Sequence, residues 1–359
     1  MTVEELVAAR SVVVCCGPGG VGKTTTAAVV ALQGAMQGRR SVVVTIDPAR
    51  RLADALGLDS LSDEPRLIDS LGRWEGELWA LMLDTKSTFD TLVAKYAARP
   101  EQAQSILQNR FYRNISGALS GTQEYMAMEK LFELHDENRF DLIVVDTPPT
   151  RNALDFIDAP RRLTRFLDNR VFRLLMLPAR ASLKIVNAAA QPLLRTLSRV
   201  VGLQVVQDAV AFFRAFEGME DGFRDRAQRV LELLSEPGTA FVLVSSPRRD
   251  AVEEADFFAR KLSEAGIAVQ ALVVNRMHPR FGDGTAVQAR EQAASAGAPL
   301  APFYENLADL YEVSDGEEAH LRTLVDRVAP APAVRVPLLA GDVHDLEGLS
   351  EVRGYVFAG

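Results

Sequence analysis

The chain has 359 residues, 48% of them hydrophobic, with 40 Lys and Arg against 48 Asp and Glu and a formal net charge of −8. That content can fill a sizeable core, and the acidic balance excludes a general attraction to nucleic acid or to an anionic membrane surface, leaving membrane contact at most peripheral and local. No uninterrupted apolar run reaches the roughly 18 residues of a membrane span, and the opening MTVEELVAAR is acidic with no apolar leader core, which predicts a cytoplasmic protein.

In chain order, Ser11 to Cys16 (SVVVCC) is a short β-branched run of the kind that forms a buried strand. A glycine-rich loop follows, then TTTAAVVALQGAMQG, which reads as a helix ending near Gly38. A second buried strand is expected at SVVVTID, residues 41 to 47, and strand, helix, strand in this order imply a right-handed βαβ unit of a parallel sheet. Further strands are predicted at 78–84, 141–147, 239–246 and 268–275, with an extended piece at 333–339. The fold class is therefore α/β, a doubly wound and mostly parallel sheet in one large domain spanning 1–359. Helical stretches over 86–138 and 152–235 are too long for simple crossovers and predict an inserted helical subdomain. Residues 329–337, APAPAVRVP, form a proline-rich connector. Cys15 and Cys16 are the only cysteines, and with no CxxC and four histidines they read as small buried thiols rather than metal ligands.

Gly17 to Thr24, GPGGVGKT, matches G-x-x-x-x-G-K-[ST] between a predicted strand and a predicted helix, the context that a phosphate-binding loop requires. Gly17, Gly19, Gly20 and Gly22 allow backbone N–H groups to turn toward phosphate oxygens, and the helix N-terminus adds its positive dipole end. Lys23 is placed to reach the β and γ phosphates and Thr24 to ligate Mg²⁺; Val21 and Thr25 complete the nucleotide-binding set. Asp47, at the end of the second strand, is a candidate to orient the attacking water, or else to cap the turn before Pro48. Asp146 ends the apolar strand DLIVVD, where an unpaired carboxylate is hard to explain as ordinary core.

PGGVGKTTT, TIDPARRLADALG (45–57) and DTPPTRNALDFID (146–158) together resemble the arsenite-pump and tail-anchored-protein-targeting (guided-entry) ATPases, and within them a bacterial anion-transporting-ATPase-like subgroup. The resemblance covers nearly the whole chain. It implies an ATP hydrolase that works as a nucleotide-gated dimer with facing sites, using Asp47 as the water-directing carboxylate and a magnesium ligand. Asp146 would hold Mg²⁺ through water, and residues 147–150 would sense the γ-phosphate. Asn275 corresponds to the adenine-reading asparagine of that family, with Pro337, Leu338 and Leu339 beside the base. The strand end VVNRMHP lacks the distal aspartate of the guanine-reading N-K-x-D pattern, so ATP and ADP are expected rather than guanine nucleotides.

The loop departs from the family at Pro18. There the resemblance implies a lysine that crosses the dimer interface to the partner's ATP, and proline offers neither charge nor an N–H. Arg50, Arg51 and Arg151 are alternative cations, each of which could also be a solvated helix-end charge. Two assemblies remain open: a homodimer using another cation, or a heterodimer with a lysine-bearing paralogue. A third reading is a slow or non-catalytic regulatory subunit that binds nucleotide and reports it.

Between Arg161 and Ala215 there are ten Lys or Arg and two acids in a chain that is acidic overall. Leu163, Phe166, Leu167, Val171, Leu174 and Leu175 fall at helical spacing on one face. The resemblance implies a groove for a client's hydrophobic segment there, lined by Phe166, Val171 and Leu174. Packing within the helical subdomain and membrane-surface binding are the competing readings.

Overall fold

The computed structural model describes residues 1–46, 50–68, 74–115, 122–147, 158–162, 164–165, 168 and 203–358. They divide into two compact units: Met1–Met82 with Glu137–Leu154 and Pro237–Gly359, and Leu83–Asp136 with Asp155–Glu236.

The first unit is built on a sheet of eight strands, β1 Val12–Cys16, β2 Arg40–Thr45, β3 Arg66–Ile68, β4 Glu77–Met82, β5 Leu142–Asp146, β6 Thr239–Ser245, β7 Val269–Met277 and β8 Ala333–Pro337. Their order is β3-β4-β2-β5-β1-β6-β7-β8, parallel except for the β3–β4 pair. β1, β5 and β6 are buried along their whole length, which is why each reads as a continuous apolar run rather than an alternating one. The mostly parallel α/β fold is as expected from the sequence. β3 was not anticipated: only Ile68 of its three residues is buried, so it carries no apolar pattern.

Helix α1 (Val3–Ala9) is closed by a capping box in which Thr2 and Glu5 bond reciprocally. Helix α2 (Lys23–Met36) follows the glycine loop and is buried over most of its length, including Ala27 to Leu32. The short helix α3 (Arg51–Ala55) comes after β2.

The second unit holds α4 (Thr85–Tyr96), α5 (Pro100–Gln108), α6 (Arg110–Ile115), α7 (Thr122–Asp136), α8 (Leu203–Ala215) and α9 (Glu220–Ser235). Asp84 caps α4 by accepting from the Lys86 and Ser87 N–H groups. Its core is aromatic: Phe223 lies 5.2 Å from Tyr96 and 5.0 Å from Phe216, and Phe212 stacks on Tyr112 at 6.0 Å. Arg226 bonds Glu129 at 2.6 Å with both side chains buried, and its guanidinium lies 3.8 Å from the Phe132 ring centre. Burial pushes the Glu129 carboxyl up while Arg226 pulls it down, so the pair is held by its own partner rather than by water. Phe166, Val171 and Leu174 lie outside the described residues.

The chain returns to the first unit through α10 (Arg249–Glu264), α11 (Ala286–Ser295), the long α12 (Ala301–Val328) and α13 (Leu346–Val356). Leu349, Val352 and Val356 of α13 join the core cluster that contains α2, and Arg353 donates to the Gln33 side chain at 2.9 Å. Among the described residues no helix is long and apolar enough to cross a membrane.

Candidate functional site

The carboxyl ends of the parallel strands converge where neighbouring connections leave in opposite directions, the usual place for a ligand in an open sheet. β1 supplies the loop Gly17–Gly22, β5 ends in Asp146, β7 brings Asn275 and β8 ends in Pro337. A cavity of about 720 Å³ lies over these ends, lined among others by Lys23, Thr24, Thr25, Arg51, Thr147 and Asn275. Pro337 and Leu338 line it too, and the Leu338 N–H donates to the Met277 carbonyl at 2.7 Å.

Two loop glycines are fixed by sterics. Gly22 has φ 97°, and a Cβ there would lie 2.2 Å from Asn275 Nδ2; Gly17 has φ 141°, and a Cβ would lie 2.0 Å from the Val244 carbonyl oxygen. The loop can thus pass close to β6 and β7 only without side chains. Gly19 and Gly20 are exposed, while Val21 is buried beneath the loop.

Lys23 is 6% exposed and its Nζ donates to the carbonyls of Gly17 at 3.0 Å and Pro18 at 2.7 Å. Burial pushes its pKa down, and Asp146 opposes that shift. Asp146, 1% exposed, accepts from the Thr24 hydroxyl and from the Thr45 hydroxyl, each at 2.8 Å. Strand register explains the second bond: Thr45 pairs with Asp146 across β2 and β5, so both side chains leave one face of the sheet. Thr147 is tied to the Cys15 carbonyl through its hydroxyl at 2.9 Å.

Thr24 and Asp146 together present hard oxygen atoms 2.8 Å apart at the mouth of the loop, a donor set that suits Mg²⁺, which takes one or two protein oxygens and completes its shell with water and phosphate. Cys15 and Cys16 are both buried; burial pushes the Cys16 thiol up to about 12 and raises the Cys15 thiol as well, so neither is a thiolate at neutral pH.

Residues 10–296 match the family described as Anion-transporting ATPase. The chain belongs to this family. It is an ATP-hydrolysing enzyme of the P-loop class. Relatives include a protein of Aquifex aeolicus provisionally named arsenical pump-driving ATPase 2, 25% identical over 284 residues that cover 77% of this chain and 83% of that one. ATPase get3 of Aspergillus terreus is 24% identical over 339 residues, 93% of this chain and 87% of its own. ATPase GET3 of Kluyveromyces lactis is 21% identical over 351 residues, 95% and 87% of the two chains.

Of the residues this ATPase was expected to use, the structure brings Lys23, Thr24, Thr25, Asn275, Pro337 and Leu338 to one cavity, with Asp146 bonded to Thr24. Asp47 and Arg151 lie outside the described residues. Arg51 lines the cavity, whereas Arg50 is exposed at the start of α3. Pro18 is buried. Three residues beside the site were not singled out from the sequence. Thr45 needed the register to be known, Arg276 was read only as part of the strand end VVNRMHP, and His344 reaches the cavity from the connector before α13.

Proposed function

We propose that this ATPase is a Mg²⁺-dependent, nucleotide-switched dimer that captures or releases a protein or peptide client. The observation that carries this reading is the placing of Asp146 between Thr24 and Thr45, on the strand whose chain goes on to the helical unit. β5 ends at Asp146 and the helical unit resumes at Asp155, so the chain after Asp146 is one of the covalent connections between the two units.

Lys23 exchanges the neutral carbonyls of Gly17 and Pro18 for charged β and γ phosphate oxygens, a stronger partner for an ammonium group in a buried site. Thr24, with Asp146 and Asp47 partly through water, would hold Mg²⁺, which would supply positive charge to the phosphates. Asp47 orients the attacking water; a bond forms from that water to the γ phosphorus as the bond to ADP breaks. Asn275 and the Pro337–Leu338 turn face the adenine.

Pro18 favours a second reading, in which this chain is the slow or non-catalytic half of a pair and a lysine-bearing paralogue completes its site. The relatives named as arsenical pump ATPases do not favour metalloid cargo here, because the two thiols are buried.

Lys23→Ala and Asp47→Asn separate the roles. Lys23→Ala is expected to abolish tight ATP binding, and Asp47→Asn to retain binding while turnover disappears. Equal loss of binding in both would assign Asp47 to the turn before Pro48 and refute its role in chemistry.

A further inference from the structure

Five carbonyls of the phosphate loop are held by side chains. Lys23 takes those of Gly17 and Pro18, Arg276 Nη1 donates to Gly20 at 3.1 Å, Asn275 Nδ2 to Val21 at 3.0 Å, and Thr26 Oγ1 to Gly22 at 3.0 Å. In a planar trans peptide the carbonyl and the next N–H point in opposite directions. Tying a carbonyl on one side therefore aims the following N–H to the other. The bonds on Gly20 and Val21 aim the N–H groups of Val21 and Gly22, two of the donors a phosphate loop presents to its anion.

Both of these bonds come from a single dipeptide at the end of β7. Arg276 has φ 62°, a left-handed backbone that a residue with a Cβ adopts only at a cost, and its own N–H bonds Asn275 Oδ1 at 2.9 Å. The side chain is exposed and lines the nucleotide cavity. A strained backbone that points an exposed guanidinium at a loop carbonyl 256 positions away in sequence is not what a simple strand-ending turn requires.

We propose that Arg276 is a positioning residue for phosphate binding. It holds the Gly20 carbonyl so that the Val21 N–H faces the phosphates, and with Asn275 it makes the base side of the site set the shape of the phosphate side. The proposal rests on the reading of this loop as the nucleotide site. Arg276 needs no contact with the γ-phosphate for this role, so it differs from the cation missing at Pro18.

The test is calorimetric titration of the full chain with MgADP, with inorganic pyrophosphate and with adenosine, beside melting of the ligand-free protein. Arg276→Gly removes the guanidinium and relieves the left-handed backbone. It is expected to weaken MgADP and pyrophosphate by about tenfold, the scale of one charge-assisted hydrogen bond, while adenosine affinity stays the same and the melting temperature does not fall. Arg276→Lys should recover part of the loss. Unchanged MgADP affinity in Arg276→Gly, equal weakening of adenosine and MgADP, or a fall in melting temperature with no recovery by lysine would overturn it. Lys23→Ala keeps the two claims apart. If it abolishes pyrophosphate binding and Arg276→Gly does not weaken it, this proposal alone fails; if wild type binds neither pyrophosphate nor MgADP, the nucleotide-site reading falls and the proposal with it.

Discussion

The Thr24 hydroxyl donates to Asp146 Oδ2 across 2.8 Å, joining the first turn of the loop helix to the end of β5, 122 residues later. This one bond connects the two motifs that were separate in the sequence, the phosphate loop and the acid that closes an apolar strand. It also leaves Asp146 dependent on hydroxyl donors in a place that water barely reaches.

Thr45→Val tests that dependence. Valine matches threonine in shape but removes one donor from the 1%-exposed carboxylate, and leaving a buried acceptor short costs about 1–3 kcal/mol. A lower urea midpoint with an unchanged slope is expected, together with weaker Mg²⁺ dependence of nucleotide binding. An unchanged midpoint would show that the Thr45 bond is incidental.

Asp141 offers a pH-dependent check on the sheet below the site. Arg40 grips it through Nε at 3.1 Å, Nη2 at 2.7 Å and the backbone N–H at 2.9 Å, tying the start of β2 to the residue before β5. These bonds hold its carboxyl at about 2, below the ordinary value near ~3.9. Because the folded pKa is the lower one, the stabilisation is complete above about pH 4 and is lost as pH falls through about 2. Asp141→Asn should therefore be less stable than wild type at neutral pH, with the gap closing over that window. A gap that persists at the acid end would mean that charge is not its origin.

Pro18→Lys restores the cation that the family resemblance implies. Turnover of the isolated chain should rise, by on the order of 10³-fold if the lysine acts as a cation supplied to phosphoryl transfer does. Adding a lysine-bearing paralogue to wild type should do the same. Fast wild-type turnover that ignores changes at Arg50, Arg51 and Arg151 would contradict both readings of the missing charge.

The sheet core was legible because β1, β5 and β6 are buried along their whole length and so carry mostly apolar runs. Gly17 to Thr24 was legible because its glycines and Lys-Thr pair form one contiguous pattern between a strand and a helix. What escaped depends on distant parts of the chain. β3 has one buried residue and forms only by pairing with β4. Thr45 faces Asp146 through a register that no local pattern carries, and Arg276 is an ordinary-looking residue whose backbone angle and bond to Gly20 appear only in three dimensions. The Thr2–Glu5 capping box was visible as T-x-x-E, yet the reading of the N-terminus turned on charge and passed over it.

The insert tests the client half of the function. Replacing Phe166, Val171 and Leu174 by Ser should leave the melting temperature of the nucleotide-free protein nearly unchanged while abolishing capture of an apolar peptide. In a packed core the same changes would remove roughly 1.5–3 kcal/mol of burial per side chain. A large fall in melting temperature, with no peptide bound by wild type in ATP or ADP, would make these residues core.

The most direct test of the whole account is the mass of the full chain in solution, by light scattering, with MgATP and with MgADP, using Asp47→Asn to prevent turnover and Lys23→Ala as the control. The account predicts that Asp47→Asn with MgATP forms a dimer that differs in hydrodynamic radius or in stability from the MgADP form, and that Lys23→Ala shows no response. Identical mass and radius in both nucleotides, with nucleotide bound and wild-type turnover absent even beside a lysine-bearing paralogue, would contradict it.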